Sequence, residues 1–341
     1  MSYPARLFEA LPGGVVRCQA CLRRCRIPPG KRGWCRTREN QDGRLISLIY
    51  GQVASLSVNP IEKKPVFHFL PGTRWLSLGS LGCNFRCPGC QNWELAHANL
   101  DRELRSTRYI SPEALVQLAR ERQAVGISWT FNEPTLWIEY ILDTAPLAKQ
   151  AGLSTNIVTN GALTMETVDA LGPYLDVYRS DIKGFFARTY KALAHLPHHE
   201  EIFAAAERAY HRWGMHVELV TNIIPGLNDD DATLKGIAHW IATRLGPDIP
   251  WHVTRFYPAF AFQDRPATPL PTLLRAHDLA RAQGLKYCYL GNVPGHELEN
   301  TYCPRCQTLL IRREIFDVLE NRLQAGCCPA CGMPIPGRWI S

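Results

Sequence analysis

Between Cys90 and Cys288 the chain carries no cysteine, and short apolar runs alternate with amphipathic segments. The strand-like runs are Trp75–Leu81, Ile127–Phe131, Thr155–Thr159, Val177–Ile182, Val217–Ile224, Trp251–Tyr257 and Tyr287–Gly291. Helical patterns lie between them. One opens at Ser111-Pro112, a capping residue followed by proline at the first helical position, with Leu115, Leu118 and Ala119 on one face. Others cover Leu136–Gln150, Thr164–Leu171, Glu201–Trp213, Ala232–Leu245 and Pro271–Gln283. Alternation at a period of roughly 25 to 40 residues predicts βα units and a parallel sheet. Such a sheet opens out or closes into a barrel, and either way ligands meet the C-terminal ends of the strands. Polar residues at strand ends are therefore the candidates for chemistry.

The flanks break this rhythm. They are rich in Cys, Pro, Gly and Arg, which divides the 341 residues into a Cys-rich segment 1–70, a core 71–299 and a C-terminal element 300–341. With 46% hydrophobic and 20% charged residues, wholesale disorder is excluded. The sequence lacks an apolar run long enough for a membrane-spanning helix. Its first residues lack the apolar stretch of a signal peptide, so a cytoplasmic protein is expected. Thiols stay reduced there, and 13 cysteines then point to metal or redox chemistry. The net charge of +7 is concentrated: Arg17, Arg23, Arg24, Arg26, Lys31, Arg32, Arg36 and Arg38 lie in a span without an acidic residue. That span can meet an acidic partner, present a solvated basic face, or compensate bound thiolates.

Cys83, Cys87 and Cys90 follow the first strand directly, spaced C-x3-C-x2-C. Three thiolates on one short loop can ligate three irons of a [4Fe–4S] cluster and leave the fourth iron open. An open metal position is where a substrate or cofactor binds. A structural zinc site of three cysteines and a distant ligand is the alternative. It does not explain why the loop sits at the ligand-binding end of a strand.

This loop, with Phe85 between the first two cysteines, resembles the signature of the radical SAM superfamily. The words LGCNFRCPGCQNWE, NEPT, VTNG, DIKGF, IPGLND, PWHVTRFYP, GNVPGHELENTYCPRC and PIPGRW occur in one order. Together they resemble the radical SAM proteins of the AmmeMemoRadiSam system, relatives of the pyruvate formate-lyase-activating enzymes. The resemblance implies a partial (β/α)6 barrel of the radical SAM type, with small Cys-rich elements at both ends. It implies S-adenosylmethionine (SAM) chelating the open iron, and reductive cleavage to a 5′-deoxyadenosyl radical that abstracts hydrogen. It also implies site residues. Asn132 and Glu133 take the place of a Gly-Gly-Glu-Pro motif that meets the SAM amino group, with Phe131 and Asn132 standing where that motif has glycines. Thr159, Asp181 and Lys183 match positions around the SAM carboxylate and a monovalent cation, and Val158 stands where the activating enzymes carry an Asp. Asn92 and His252 match residues near the cofactor. A local Asp181–Lys183 salt bridge and a helix-capping Glu133 are the plainer readings of the same residues.

Cys303-x2-Cys306 and Cys328-x2-Cys331 have the spacing of a tetrahedral zinc site, with Cys327 as the spare. Cys18, Cys21, Cys25 and Cys35 offer four further ligands, for zinc or for a second [4Fe–4S] cluster. Cys288 alternates within an apolar strand and reads as a buried hydrophobe.

The expected function is reductive cleavage of SAM, with hydrogen abstracted from a small molecule or from a partner protein. A flavodoxin- or ferredoxin-type reductant is the implied donor, and Memo-like or AMMECR-type proteins are the implied associates. The competing reading is a non-catalytic zinc or iron–sulfur protein that binds nucleic acid through its basic Cys-rich segments. That reading leaves the ordered strand-end motifs unexplained.

Overall fold

The computed structural model describes residues 3–196 and 198–340. Its centre is an eight-stranded sheet whose strands follow one another in chain order. They are β1 (Ser55–Pro60), β2 (Arg74–Gly79), β3 (Gly126–Trp129), β4 (Ser154–Thr159), β5 (Val177–Asp181), β6 (His216–Ile223), β7 (Trp251–Arg255) and β8 (Cys288–Gly291). From β2 to β8 every pairing is parallel, and β1 runs antiparallel along the outer edge of β2.

All seven strand-like runs of the sequence become strands, with ends shifted by no more than two residues. The helices that link them are α1 (Pro112–Glu121), α2 (Ile138–Gln150), α3 (Met165–Leu171), α4 (Ala187–Ala194), α5 (Glu200–His211), α6 (Asp231–Trp240) and α7 (Leu270–Ala282). Strands β2–β7 with these helices form the expected (β/α)6 arc, and β8 extends it by a seventh parallel strand. Burial on both faces explains the nearly unbroken apolar runs: all four residues of β3 are buried. Local chemistry fixes the helix starts. Ser111 and Thr164 accept the backbone N–H of Ala114 and Thr167 through their hydroxyls, as N-caps do.

The N-terminal segment does not stand apart from this core. It contributes β1, and its two small antiparallel sheets are joined to the helices by buried polar contacts. Arg38 forms a bidentate ion pair with Glu139 of α2 at 2.7 and 3.0 Å, both side chains 1% exposed. Trp137 Nε1 donates to Ile49 O, and Thr164 and Thr167 donate to Gln19 O and Ala20 O. Half of the basic span is paired with carboxylates, one pair buried and three at the surface. Arg17, Arg24, Arg32 and Arg38 pair with Glu9, Glu166, Glu39 and Glu139. The segment therefore presents less free positive charge than its composition implies.

The C-terminal element is a three-stranded antiparallel sheet, β9 (Thr301–Tyr302), β10 (Leu309–Glu314) and β11 (Asp317–Asn321). Leu310, Ile311 and Ile335 pack with Phe67, Tyr287 and Tyr289 to seal one side of the barrel. All thirteen cysteines are free thiols. No helix among the described residues is long and apolar enough to cross a membrane.

Candidate active site and metal centres

The C-terminal ends of the parallel strands surround a cavity of about 440 Å³, a volume typical of small-molecule sites. The loop after β2 brings Cys83, Cys87 and Cys90 to one wall. Asn92, Asn132, Glu133, Thr159, Asp181 and Lys183 line the same space, so six of the seven residues expected to contact cofactor converge on it. Burial pushes the Cys83 thiol well above its ordinary range and Cys87 up to about 11, and raises Cys90 as well. Thiols held neutral by burial lose their protons when metal supplies the compensating charge. Cys83 Sγ accepts the Phe85 N–H at 3.3 Å, and the Asn160 side-chain amide approaches it at 3.7 Å.

His252 is the exception. It lies on β7 two residues before Thr254, which does line the cavity. Two residues of strand span about 6.6 Å, so His252 points inward one layer deeper. There it is 1% exposed, bonds Glu218 Oε2 through Nε2 at 2.7 Å and meets the Phe67 ring edge-on. Its ring thus lies in the barrel floor, beneath the residues that line the cavity. Glu218 is the hub of that floor, accepting also from His216 and from the N–H groups of Phe67 and His68. Alternation along the strand places the side chain inward and does not fix its depth.

Glu133 performs the capping role. Its carboxylate accepts the Thr135 N–H and hydroxyl, the Thr159 hydroxyl at 2.7 Å and the Asn160 N–H at 2.8 Å. It thereby locks the ends of β3 and β4 together at the cavity wall. Burial pushes its carboxyl up, partly offset by these donors. Oε2 carries the single bond from Asn160 N–H and keeps acceptor capacity for an ammonium group. Asn132 is a brace: Oδ1 accepts from Ser80 N and Nδ2 donates to Gly82 O, tying the β3 end to the cysteine loop. Before it, Phe131 adopts φ +73°, left-handed backbone that costs a non-glycine residue roughly 1–2 kcal/mol. The strain stands where the resembled motif carries glycine.

Asp181 is bonded to both Arg179 and Lys183, the latter at 2.6 Å. Burial works against the charged carboxylate, yet the two cations hold Asp181 below its ordinary range. Burial likewise works against the Lys183 ammonium, but Asp181 and the nearby Cys87 keep it raised. Two cations against one carboxylate leave net positive charge facing the cysteine loop, which suits an anionic cofactor group.

Sequence reasoning missed Lys64. It is 3% exposed, its ammonium sits 4.6 Å over the Phe131 ring, and Asn59 Oδ1 accepts from it at 3.3 Å. Burial, with Lys63 and Arg179 adding repulsion, pulls it down to about 7. It comes from the loop between β1 and β2, within a Lys-Lys-Pro word that carries no motif signal. Arg179 and Asn222, inward-facing on β5 and β6, also line the cavity without having been singled out.

Away from the cavity, the sulfurs of Cys303, Cys306, Cys328 and Cys331 all lie within 4.8 Å of one another, with two pairs at 3.6 Å. Tetrahedral zinc with bonds of about 2.3 Å separates its sulfurs by roughly 3.8 Å, so this set fits a mononuclear tetrahedral ion. Cys327 stays outside it, as expected.

The three loop cysteines fit a [4Fe–4S] cluster: they share one cavity wall, they offer three thiolates on one loop, and an open volume faces them. Comparison with known proteins agrees. Residues 78–241 match the Radical SAM superfamily. The chain is 40% identical over 336 residues to an uncharacterized protein of Methanocaldococcus jannaschii, spanning 97% of this chain and 98% of that one. A domain of pyruvate-formate lyase-activating enzyme from Bacteroides vulgatus matches with TM-score 0.43 at 18% identity, over 49% of this chain and 99% of that one. SuiB of Streptococcus suis, bound to its precursor peptide SuiA, matches with TM-score 0.50 at 13% identity, over 70% of this chain and 52% of that one. With the cysteine loop at the head of a parallel barrel and the match running over residues 78–241, the chain carries a domain of the Radical SAM superfamily in its core.

Proposed function

We propose that this protein is a radical SAM enzyme that reductively cleaves S-adenosylmethionine and uses the product radical to take a hydrogen atom from a substrate. One observation carries the reading: Cys83, Cys87 and Cys90 share a 440 Å³ cavity with Glu133, Asp181 and Lys183 at the C-terminal ends of the strands. When bound, the cluster and SAM supply the electron and the radical. The chain's own part is to bind, orient and shield. Lys183 and Arg179 offer cationic groups for the cofactor carboxylate, and Glu133 Oε2 offers an acceptor for its amino group. Phe131, Thr254 and the loop around Phe85 wall the cavity.

A protein substrate fits the rim better than a small molecule does. Trp93, next to the lining residue Asn92, is 42% exposed and stacks on Phe260, and Phe316 lines the mouth while 36% exposed. Exposed aromatics around a cavity are typical of a surface that receives another polypeptide. The ordered motifs support membership of the AmmeMemoRadiSam branch, with Memo-like and AMMECR-type proteins as associates. The chemistry calls for a one-electron reductant of flavodoxin or ferredoxin type. Cytoplasmic placement agrees with the many free thiols.

Anaerobically reconstituted protein reduced with dithionite is expected to release 5′-deoxyadenosine and methionine from SAM, and Cys83→Ala is expected to abolish this. Equal product from wild type and Cys83→Ala would overturn the proposal. A radical signal on an associated protein after turnover supports the protein substrate, whereas turnover with small molecules alone excludes it.

A further inference from the structure

Cys18, Cys21, Cys25 and Cys35 line a second, small cavity together with Arg23, Trp34, Arg38 and Asn84. Its ligand class follows from three observations. The first is spacing. Among the described residues, the C-terminal set is the one whose sulfurs converge to within 4.8 Å. The N-terminal four do not, and in this they behave like the loop of Cys83, Cys87 and Cys90. A single ion needs convergent sulfurs, whereas a four-iron cube holds each thiolate on a different iron and so keeps them apart.

The second observation is charge. Four thiols surround an apolar void, yet the same void is lined by two arginines. Arg38 is 1% exposed and its Nε has no partner. Among the described residues, Arg23 at the same void donates only to the backbone carbonyls of Asn84, Ala194 and His195 and lies over the Trp34 ring. Glu139 already balances the charge of Arg38, but no carboxylate among the described residues pairs with Arg23, so an anionic occupant of the cysteine-lined void would complete the charge balance. A thiolate-bound cluster is one. The third observation is the donors that already point at sulfur: the Trp34 N–H to Cys25 at 3.5 Å and the Thr37 hydroxyl to Cys35 at 3.2 Å. Hydrogen bonds to sulfur tune iron–sulfur centres.

Position supplies the role. Asn84, the residue after Cys83, lines this second cavity, and its Oδ1 lies 3.8 Å from Cys83 Sγ. Arg23 Nε donates to Asn84 O, and the turn carrying Cys21 is hydrogen-bonded to Ala162, just past the end of β4. Asn84 thus borders both cysteine sets.

We propose that Cys18, Cys21, Cys25 and Cys35 hold a second [4Fe–4S] cluster that relays electrons to the cluster of the Cys83 loop. In the relay, one electron from a flavodoxin- or ferredoxin-type donor takes the N-terminal cluster from its oxidised to its one-electron-reduced state. Passing it on restores the oxidised state, and no bond or proton moves. The site stands on its own geometry, while the relay rests on the radical SAM reading above.

The test uses the full-length chain with Cys83, Cys87 and Cys90 all replaced by Ala, reconstituted with iron and sulfide without oxygen. Roughly four irons and four sulfides per chain are expected to remain, with a paramagnetic signal after dithionite reduction. Adding Cys18→Ser and Cys35→Ser is expected to remove both while the C-terminal metal stays, which controls for folding. Zinc without sulfide, or no metal, at the N-terminal set overturns the site. For the relay, fully reduced wild type is expected to show a signal broadened relative to the sum of the two single-site proteins. A plain sum overturns it. Absence of SAM cleavage would sink the function above without changing these metal counts.

Discussion

Lys64 is the residue whose burial is hardest to explain by stability. Among the described residues no carboxylate pairs with it, and its side chain faces the active-site cavity. Its folded value of about 7 lies far below the unfolded value of about 10.4. Above both values the residue is neutral in either state and costs nothing. As pH falls from about 10 to 7 the unfolded chain takes up the proton first, so stability declines across that window and the full penalty holds below it. Lys64→Met is therefore expected to stabilise the protein, by on the order of 1–3 kcal/mol at pH 6 and much less at pH 9. Denaturant unfolding at the two values checks this. The same variant is expected to lower SAM cleavage at least tenfold if the lysine serves a ligand, the usual trade between a strained site and stability. Unchanged activity would leave Lys64 as packing alone. Phe131 is the companion case, since its left-handed backbone is held at the cavity wall by the Asn132 brace.

Between elements, the Arg38–Glu139 pair fastens the N-terminal segment to α2, and its Arg38 also lines the cysteine void. Removing one partner leaves a buried charge alone, which costs about 3–5 kcal/mol. Arg38→Met is expected to show that loss in chemical unfolding, and Arg38→Met with Glu139→Leu is expected to recover much of it. A fully additive double variant would mean the pair is not coupled. The C-terminal element makes a parallel case: Cys328→Ser is expected to lose the bound ion and melt this element, whereas Cys327→Ser keeps both. Metal content and limited proteolysis of the two variants decide it.

Much of this was legible in the chain. The seven parallel strands, the cysteine loop after the first of them and the choice of Cys328 over Cys327 all follow from local pattern. Three things were not legible. Strand β1 hides in a segment rich in Ser and Pro, because pairing to an exposed edge needs no apolar period. Lys64 lies on a loop, where only the tertiary path shows that it enters the cavity. The depth of His252 depends on the register between β6 and β7, which brings Val220 opposite it and Glu218 beneath.

At the scale of the whole molecule, the barrel separates its two ends by chemistry. The C-terminal end is polar, open and strained. The floor is closed by Phe67 and His68, whose backbone N–H groups both reach Glu218. There His68 bonds Pro336 O and Tyr289, and Arg313 packs over Phe67 and donates to its carbonyl. The N-terminal segment, core and C-terminal element thus meet on one buried network, and its titration is expected to govern the acid limit of the fold. Burial pulls His68 down to about 4 and lowers His252. A histidine depressed in the folded state stays neutral while the unfolded chain takes up its proton near 6.5, so stability falls as pH drops from 6.5 towards 4. Glu218 works at lower pH. Burial opposes its charge, but His216 and His252 hold it well below the ordinary carboxylate range. Its stabilisation is complete above the unfolded value near 4.3 and disappears only as pH falls through the depressed folded one. Melting temperature is therefore expected to fall steadily between pH 6.5 and 4. His68→Asn, which removes the titrating group but keeps a polar side chain, is expected to melt lower at pH 7 and to show a shallower decline. A slope in the variant equal to that of wild type would place the acid sensitivity elsewhere than in the barrel floor.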